Sequence, residues 1–133
     1  MAVLLGAGAI LLAVALARDT DANKLEWLWV FGVSRIAIAG FMTDSSDRVS
    51  TEGRIHWALA AAAFTAIAIA ATSIDWTRSP GVLGPLGTLV ALSAIATLAT
   101  RLIGPLRPVF GVAERALYVT SIAWLVIAAA DLA

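Results

Sequence analysis

The chain has no cysteine, a single histidine and a single lysine, and charged residues fill only 14% of its 133 positions. Without cysteine there are no disulfides, no thiol nucleophile and no thiolate metal site. With His56 alone, a zinc centre is poorly provided for, since catalytic zinc typically takes three protein ligands, often several of them histidine. Nine basic and nine acidic residues cancel. No block of like charge points to nucleic acid or to an anionic membrane surface. No cofactor motif is present.

What fills the space is apolar. Hydrophobic residues make up 61% of the chain and the mean hydropathy is +0.93. An average soluble domain is roughly 45–50% apolar and about 25% charged. A short soluble chain could not hide this excess, because small domains bury only about two-thirds of the surface they expose when unfolded. Lipid is the simplest apolar phase that could take it up. The heavy use of Ala, Leu, Val and Arg points to a GC-rich bacterial genome, and so to the bacterial cytoplasmic membrane. The first apolar run has no basic residue before it and no convincing cleavage site after it. It reads as a retained helix rather than a signal peptide.

The expected fold is all-α: one integral-membrane domain over residues 1–133, a polytopic bundle of about five spans at 1–17, 25–42, 55–74, 86–103 and 112–132. Helices are required because lipid cannot satisfy open backbone groups, and no alternating barrel pattern is present. Span one is at the short end of the roughly 17–25 residues that cross a bilayer. Its Gly6 and Gly8 leave room for a neighbouring helix. Asn23 and Glu26 have capping-box spacing at the start of span two. Trp27, Trp29, Trp57 and Trp76 fall where an interfacial aromatic belt is expected. Thr88, Ser93, Thr97 and Thr100 recur at helical spacing in span four. The 75–85 stretch reads as a Gly/Pro turn region, and Gly104, Pro105 and Pro108 end span four.

Five crossings place the hydrophilic loops 43–54 and 101–115 on one side together with the N-terminus. Those loops hold Arg48, Arg54, Arg101, Arg107 and Arg115, against Arg18, Lys24 and Arg78 on the other side. Five against three favours a cytoplasmic N-terminus under the positive-inside rule.

Two polar groups stand out. Thr43, Asp44, Asp47, Glu52 and His56 surround the entry to span three. An Asp and a His at a helix boundary could share a proton or bind a metal. The plainer reading has Thr43 and Asp44 ending one helix, Ser50 or Thr51 capping the next, and His56 at headgroup level. The second group is Glu114, Arg115 and Tyr118. Glu114 and Tyr118 share a helix face. Glu114 either pairs across the bundle with Arg35, Arg54 or His56, or adds negative charge at a helix N-terminus, where the dipole favours it.

Arg35 interrupts span two. A charge near a helix centre costs about 2.5–3.5 kcal/mol on insertion scales. Reaching Met42 from Arg35 takes about 10 Å of helix rise, which is long for a snorkelling side chain. Arg35 is therefore expected to face an internal partner: Glu114, Asp44 or a lipid phosphate.

Three stretches carry a resemblance: Gly40-Phe41-Met42-Thr43-Asp44, Glu52-Gly53-Arg54-Ile55-His56 and Gly111-Val112-Ala113-Glu114-Arg115. In this order they resemble a bacterial membrane-protein family catalogued as domain of unknown function 998. Its members commonly close one helix with Gly-x-Phe-Pro-Thr-Asp, open the next with Gly-x-x-His and open the last with Gly-x-x-Glu-Arg. The likeness covers roughly residues 27–133. Met42 stands where the family usually has proline. The family usually has about six spans, so the resemblance implies that the first is missing here. It also implies that Thr43, Asp44, His56, Glu114 and Arg115 gather on one side, and it implies no activity.

Two functions compete. The preferred one is a non-catalytic accessory subunit whose Ala- and Gly-rich helices pack against other transmembrane subunits of a lipid-transport or respiratory assembly. The other is an intramembrane enzyme or carrier for a lipid or a proton, using Thr43, Asp44, His56, Glu114 and Arg115. The expected partners are membrane lipids and membrane subunits, not nucleic acid. The expected metal and cofactor content is none.

Overall fold

The computed structural model describes residues 2–17, 22–41, 50–74 and 80–132, with Ala22 and Pro80 described by backbone alone. Five α-helices account for most of these residues: α1 (Ala2–Leu16), α2 (Ala22–Ile38), α3 (Thr51–Ser73), α4 (Pro80–Leu102) and α5 (Phe110–Ala130). A 3-10 turn, Gly104–Val109, joins α4 to α5. No strand occurs among the described residues. The fold is all-α, with a helix at each position the apolar runs predict.

Among the described residues, three stretches are long and apolar enough to cross a membrane: Thr51–Ser73, Gly81–Leu102 and Gly104–Ala130. The 15-residue α1 is a shorter apolar helix. At most 33% of the apolar window in any of the three long stretches is buried inside the chain. The rest needs an apolar surrounding, which a bilayer supplies.

Several boundaries differ from the sequence expectation. α2 starts at Ala22, so Asn23 lies inside its first turn rather than capping it. The capping-box spacing at Asn23 and Glu26 therefore does not mark the boundary. α2 ends at Ile38, and the chain tightens into i→i−3 bonds: Ala39 N–H to Ile36 O at 3.1 Å, Gly40 to Ala37 at 3.0 Å and Phe41 to Ile38 at 3.1 Å. Such tightening at a helix end satisfies carbonyls that have no α-helical donor. α4 begins at Pro80 and runs through Pro85, within the stretch expected to be a turn. Proline at a first helical position loses no hydrogen bond, because the N–H there has no partner in any case. Pro85 removes one donor near the helix start, a defect that apolar-phase helices tolerate when neighbours re-satisfy the carbonyl.

The chain forms two compact units, Met1–Ala66 and Ile67–Ala133. In the first, α1 packs on α2. Ala9, Leu12, Ala13 and Leu16 of α1 are buried, as are Leu25, Leu28 and Phe31 of α2. The two helices meet glycine to glycine. A Cβ built on Gly6 would stand 2.6 Å from the Gly32 carbonyl oxygen, and one built on Gly32 would stand 2.8 Å from that of Gly6. Close backbone approach of this kind is the usual source of helix association in lipid, where hydrophobic driving force between helices is absent. Of the two glycines singled out in α1, only Gly6 serves this contact. Among the described residues, nothing lies within 4 Å of a Cβ built on Gly8.

In the second unit α4 packs on α5. Leu83, Val90, Ala94 and Thr97 are buried on α4, and Leu117, Ser121, Trp124 and Ala128 on α5. With the buried Gly87 of α4 included, both sets follow three- and four-residue steps, the spacing of one helix face. Gly87 of α4 touches the end of α3, where a Cβ would overlap the Ala71 carbonyl oxygen. The threonines inside these helices satisfy themselves locally. Thr97 Oγ1 donates to Ser93 O at 2.8 Å and Thr100 Oγ1 to Thr97 O at 3.0 Å. Thr88 and Thr120 donate to Gly84 O and Ala116 O in the same way. Back-bonding to the preceding turn lets a hydroxyl sit in an apolar helix without an unmet donor.

Candidate functional site

The entry to α3 is built by two short-range contacts. Ser50 precedes the helix, and its Oγ accepts the Gly53 N–H at 3.0 Å. That is the geometry of an N-cap, satisfying one of the four N–H groups that a helix start leaves open. Ser50, rather than Thr51, fills the role, since Thr51 is the first helical residue.

One turn further, His56 is half-buried and its Nδ1 lies 2.9 Å from the Phe41 carbonyl oxygen. A carbonyl only accepts, so Nδ1 carries the hydrogen and donates. In the neutral ring this leaves Nε2 as the acceptor. The bond ties the start of α3 to the stretch just after α2. It also supplies a donor to a carbonyl beyond the helix end, where intrahelical donors run out. His56 thus has a structural task in the first unit.

Around it, Glu52 and Arg54 are exposed on the first turn of α3. Thr43, Asp44 and Asp47 lie outside the described residues, as do Met42 and Trp76. Glu114 and Arg115 belong to the second unit, on the second turn of α5, where Glu114 is half-buried and Arg115 exposed. Tyr118, one turn beyond Glu114, is half-buried. Among the described residues, no group of three His, Asp or Glu side chains is placed to hold a metal ion.

Arg35 is 4% exposed, beside the buried Ser34. It sits at the glycine crossing of α1 and α2: a Cβ on Gly6 would come within 3.2 Å of the Arg35 Cβ. The charge therefore lies on the packed side of α2 rather than on its open side, where Val30 and Val33 stand at 40% and 56% exposure.

The 101–115 loop reads as hydrophilic in the sequence, yet the turn joining α4 to α5 also carries an apolar surface. Every residue from Arg101 to Val109 is exposed. Leu102, Ile103, Leu106 and Val109 are among the exposed large hydrophobic residues, and Arg101 and Arg107 are interspersed with them. The available signal was the three-residue step of Ile103, Leu106 and Val109, which is the period of a 3-10 turn.

Long apolar helices, a backbone-close glycine crossing and a buried arginine define a polytopic helical membrane protein. The chain belongs to the family described as Protein of unknown function (DUF998), which matches residues 1–131. The match begins at the first residue, so α1 lies within the family region, and the resemblance is broader than the 27–133 stretch its motifs mark. No curated protein and no solved structure matches the chain.

Proposed function

We propose that the protein is a non-catalytic accessory subunit of a larger bacterial inner-membrane assembly, of the lipid-transport or respiratory kind, with its N-terminus in the cytoplasm. The observation that carries this reading is the second face of α5. One face of that helix is used internally, through Leu117, Ser121, Trp124 and Ala128. The opposite face repeats every seven residues: Val112, Val119 and Val126 are 68%, 67% and 61% exposed. Ala116 and Ala130 are exposed between and beyond them, and half-buried Ala123 completes the series. Valine alternating with alanine at steps of four and three makes a shallow seam of coiled-coil spacing. Small residues at such a seam favour close approach of another helix in lipid. The role of His56 as a helix tie also supports a structural rather than a catalytic task.

The test is purification from native membranes in mild detergent, paired with Val119→Trp. The proposal expects a stoichiometric membrane partner that the unaltered chain retains. It expects Val119→Trp to lose that partner while keeping its own thermal midpoint. A chain that runs alone, or a partner retained by Val119→Trp, overturns the proposal. A solitary chain that turns over a lipid or moves protons supports instead the reading of Thr43, Asp44, His56, Glu114 and Arg115 as an intramembrane site.

A further inference from the structure

We infer that the elbow between α4 and α5, residues 101–115, is an interfacial anchor that selects anionic phospholipid. A 3-10 helix has three residues per turn, so side chains three apart eclipse one another. Leu106 and Val109 stand in one row of the Gly104–Val109 turn, and Ile103, whose carbonyl accepts the Leu106 N–H at 2.9 Å, opens the same row. These three side chains are 50%, 40% and 50% exposed in chain order. Arg107 falls in the neighbouring row, about 120° away by the same periodicity. Pro105 and Pro108 occupy the third row and hold the turn's φ angles, so the ridge is rigid.

Position explains why an exposed apolar ridge is tolerable. The turn closes one long apolar helix and opens the next, which puts it at a membrane–water boundary. There, apolar side chains dip into the acyl boundary while basic ones meet the headgroups. The charge at this elbow is one-sided. Arg101 lies in the last turn of α4, Arg107 in the 3-10 turn and Arg115 on the second turn of α5, all three exposed. Against them stands one acid between 101 and 115, the half-buried Glu114. The arginines are six and eight residues apart, so they form no run in the sequence, and the turn gathers them at one end of the α4–α5 pair. Guanidinium groups bind phosphate oxygens through two parallel N–H bonds, which suits them to a phosphodiester headgroup. The complementary ligand has an anionic headgroup above acyl chains, which is an acidic phospholipid.

The experiment is native mass spectrometry of the delipidated full-length protein in detergent, titrated with dioleoyl phosphatidylglycerol or dioleoyl phosphatidylcholine. The first phosphatidylglycerol should bind at least tenfold more tightly than the first phosphatidylcholine. Arg107→Gln should weaken phosphatidylglycerol about fivefold, the equivalent of one surface basic residue near an anionic leaflet, and leave phosphatidylcholine unchanged. Arg101→Gln/Arg107→Gln/Arg115→Gln should remove the preference altogether. Raising the ionic strength on the unaltered chain should narrow it too, a readout that needs no variant to fold. Leu106→Asn should weaken both lipids together. Inorganic phosphate at millimolar concentration should not compete, because it lacks the acyl chains. In native membranes, a photo-crosslinker at position 106 should label phospholipid. Equal affinity for the two lipids, a preference that survives the triple substitution, full competition by phosphate, or crosslinking of position 106 to a protein would each overturn the inference.

Discussion

Replacing Gly6 by alanine should loosen the α1–α2 pair, and Gly8 provides the control. The added Cβ at Gly6 would sit 2.6 Å from the Gly32 carbonyl oxygen and 2.9 Å from Ile36 Cγ1. Ile36 can rotate, but the carbonyl belongs to a helix and cannot. Ordinary contact begins at about 3.4 Å, so the backbones must separate by about 0.8 Å. Overpacking of this kind costs about 1–3 kcal/mol. Alanine's better helix propensity returns about 1 kcal/mol. The net expectation is a loss of about 1 kcal/mol, roughly a fivefold fall in the folded-to-unfolded ratio. Gly8→Ala keeps the propensity gain without the clash, because no described residue comes within 4 Å of its Cβ. It should therefore stabilise the chain by up to about 1 kcal/mol. The assay is reversible SDS titration in mixed micelles, read by tryptophan fluorescence. Gly6→Ala should shift the midpoint down and Gly8→Ala should not. The pair Gly6→Ala/Gly32→Ala should cost less than the sum of its parts, because one separation of the helices accommodates both methyl groups. Equal midpoints for Gly6→Ala and Gly8→Ala would refute the crossing.

Three further outcomes follow from single side chains. His56→Ala should lose about 0.5–1.5 kcal/mol with the Phe41 carbonyl bond, and His56→Asn, which keeps a donor near the Nδ1 position, should recover part of it in the same titration. Ser121 is 3% exposed and its hydroxyl makes no hydrogen bond to a described residue, so Ser121→Ala should be neutral or stabilising by about 1 kcal/mol; a clear loss of stability would show that the hydroxyl is satisfied after all. Arg35→Leu should destabilise by about 1–3 kcal/mol, because the buried guanidinium is engaged with its surroundings and removing it strands what it meets; unchanged thermal behaviour in detergent would contradict this.

The existence and order of the helices were legible because lipid imposes one backbone solution on a long apolar run. Their ends were less so. The sequence around Pro80, Gly81, Gly84 and Pro85 is what a turn contains, yet proline near a helix start removes few bonds, and α4 forms through it. Asn23 and Glu26 have cap spacing, but the helix already includes Ala22. Of the candidate site, His56 was visible as the single imidazole, whereas its partner was not. The group it meets is the Phe41 carbonyl, and a backbone oxygen carries no mark in the sequence. Gly6 and Gly8 are equivalent on paper, and only the position of Gly32 on the neighbouring helix distinguishes them. The arginines of the elbow were legible as charges sharing one loop, whereas the exposed apolar row of Ile103, Leu106 and Val109 beside them was not. That row follows the three-residue period of a 3-10 turn, which a search for α-helical and strand periods passes over.

Whether α5 crosses lipid is directly measurable, because the chain has no native cysteine. Single cysteines at Arg107 and Asp131, at the two ends of the Gly104–Ala130 stretch, should react with a membrane-impermeant maleimide from opposite faces of sealed vesicles, position 107 from the cytoplasmic face. Reaction of both positions from the same face would contradict that crossing.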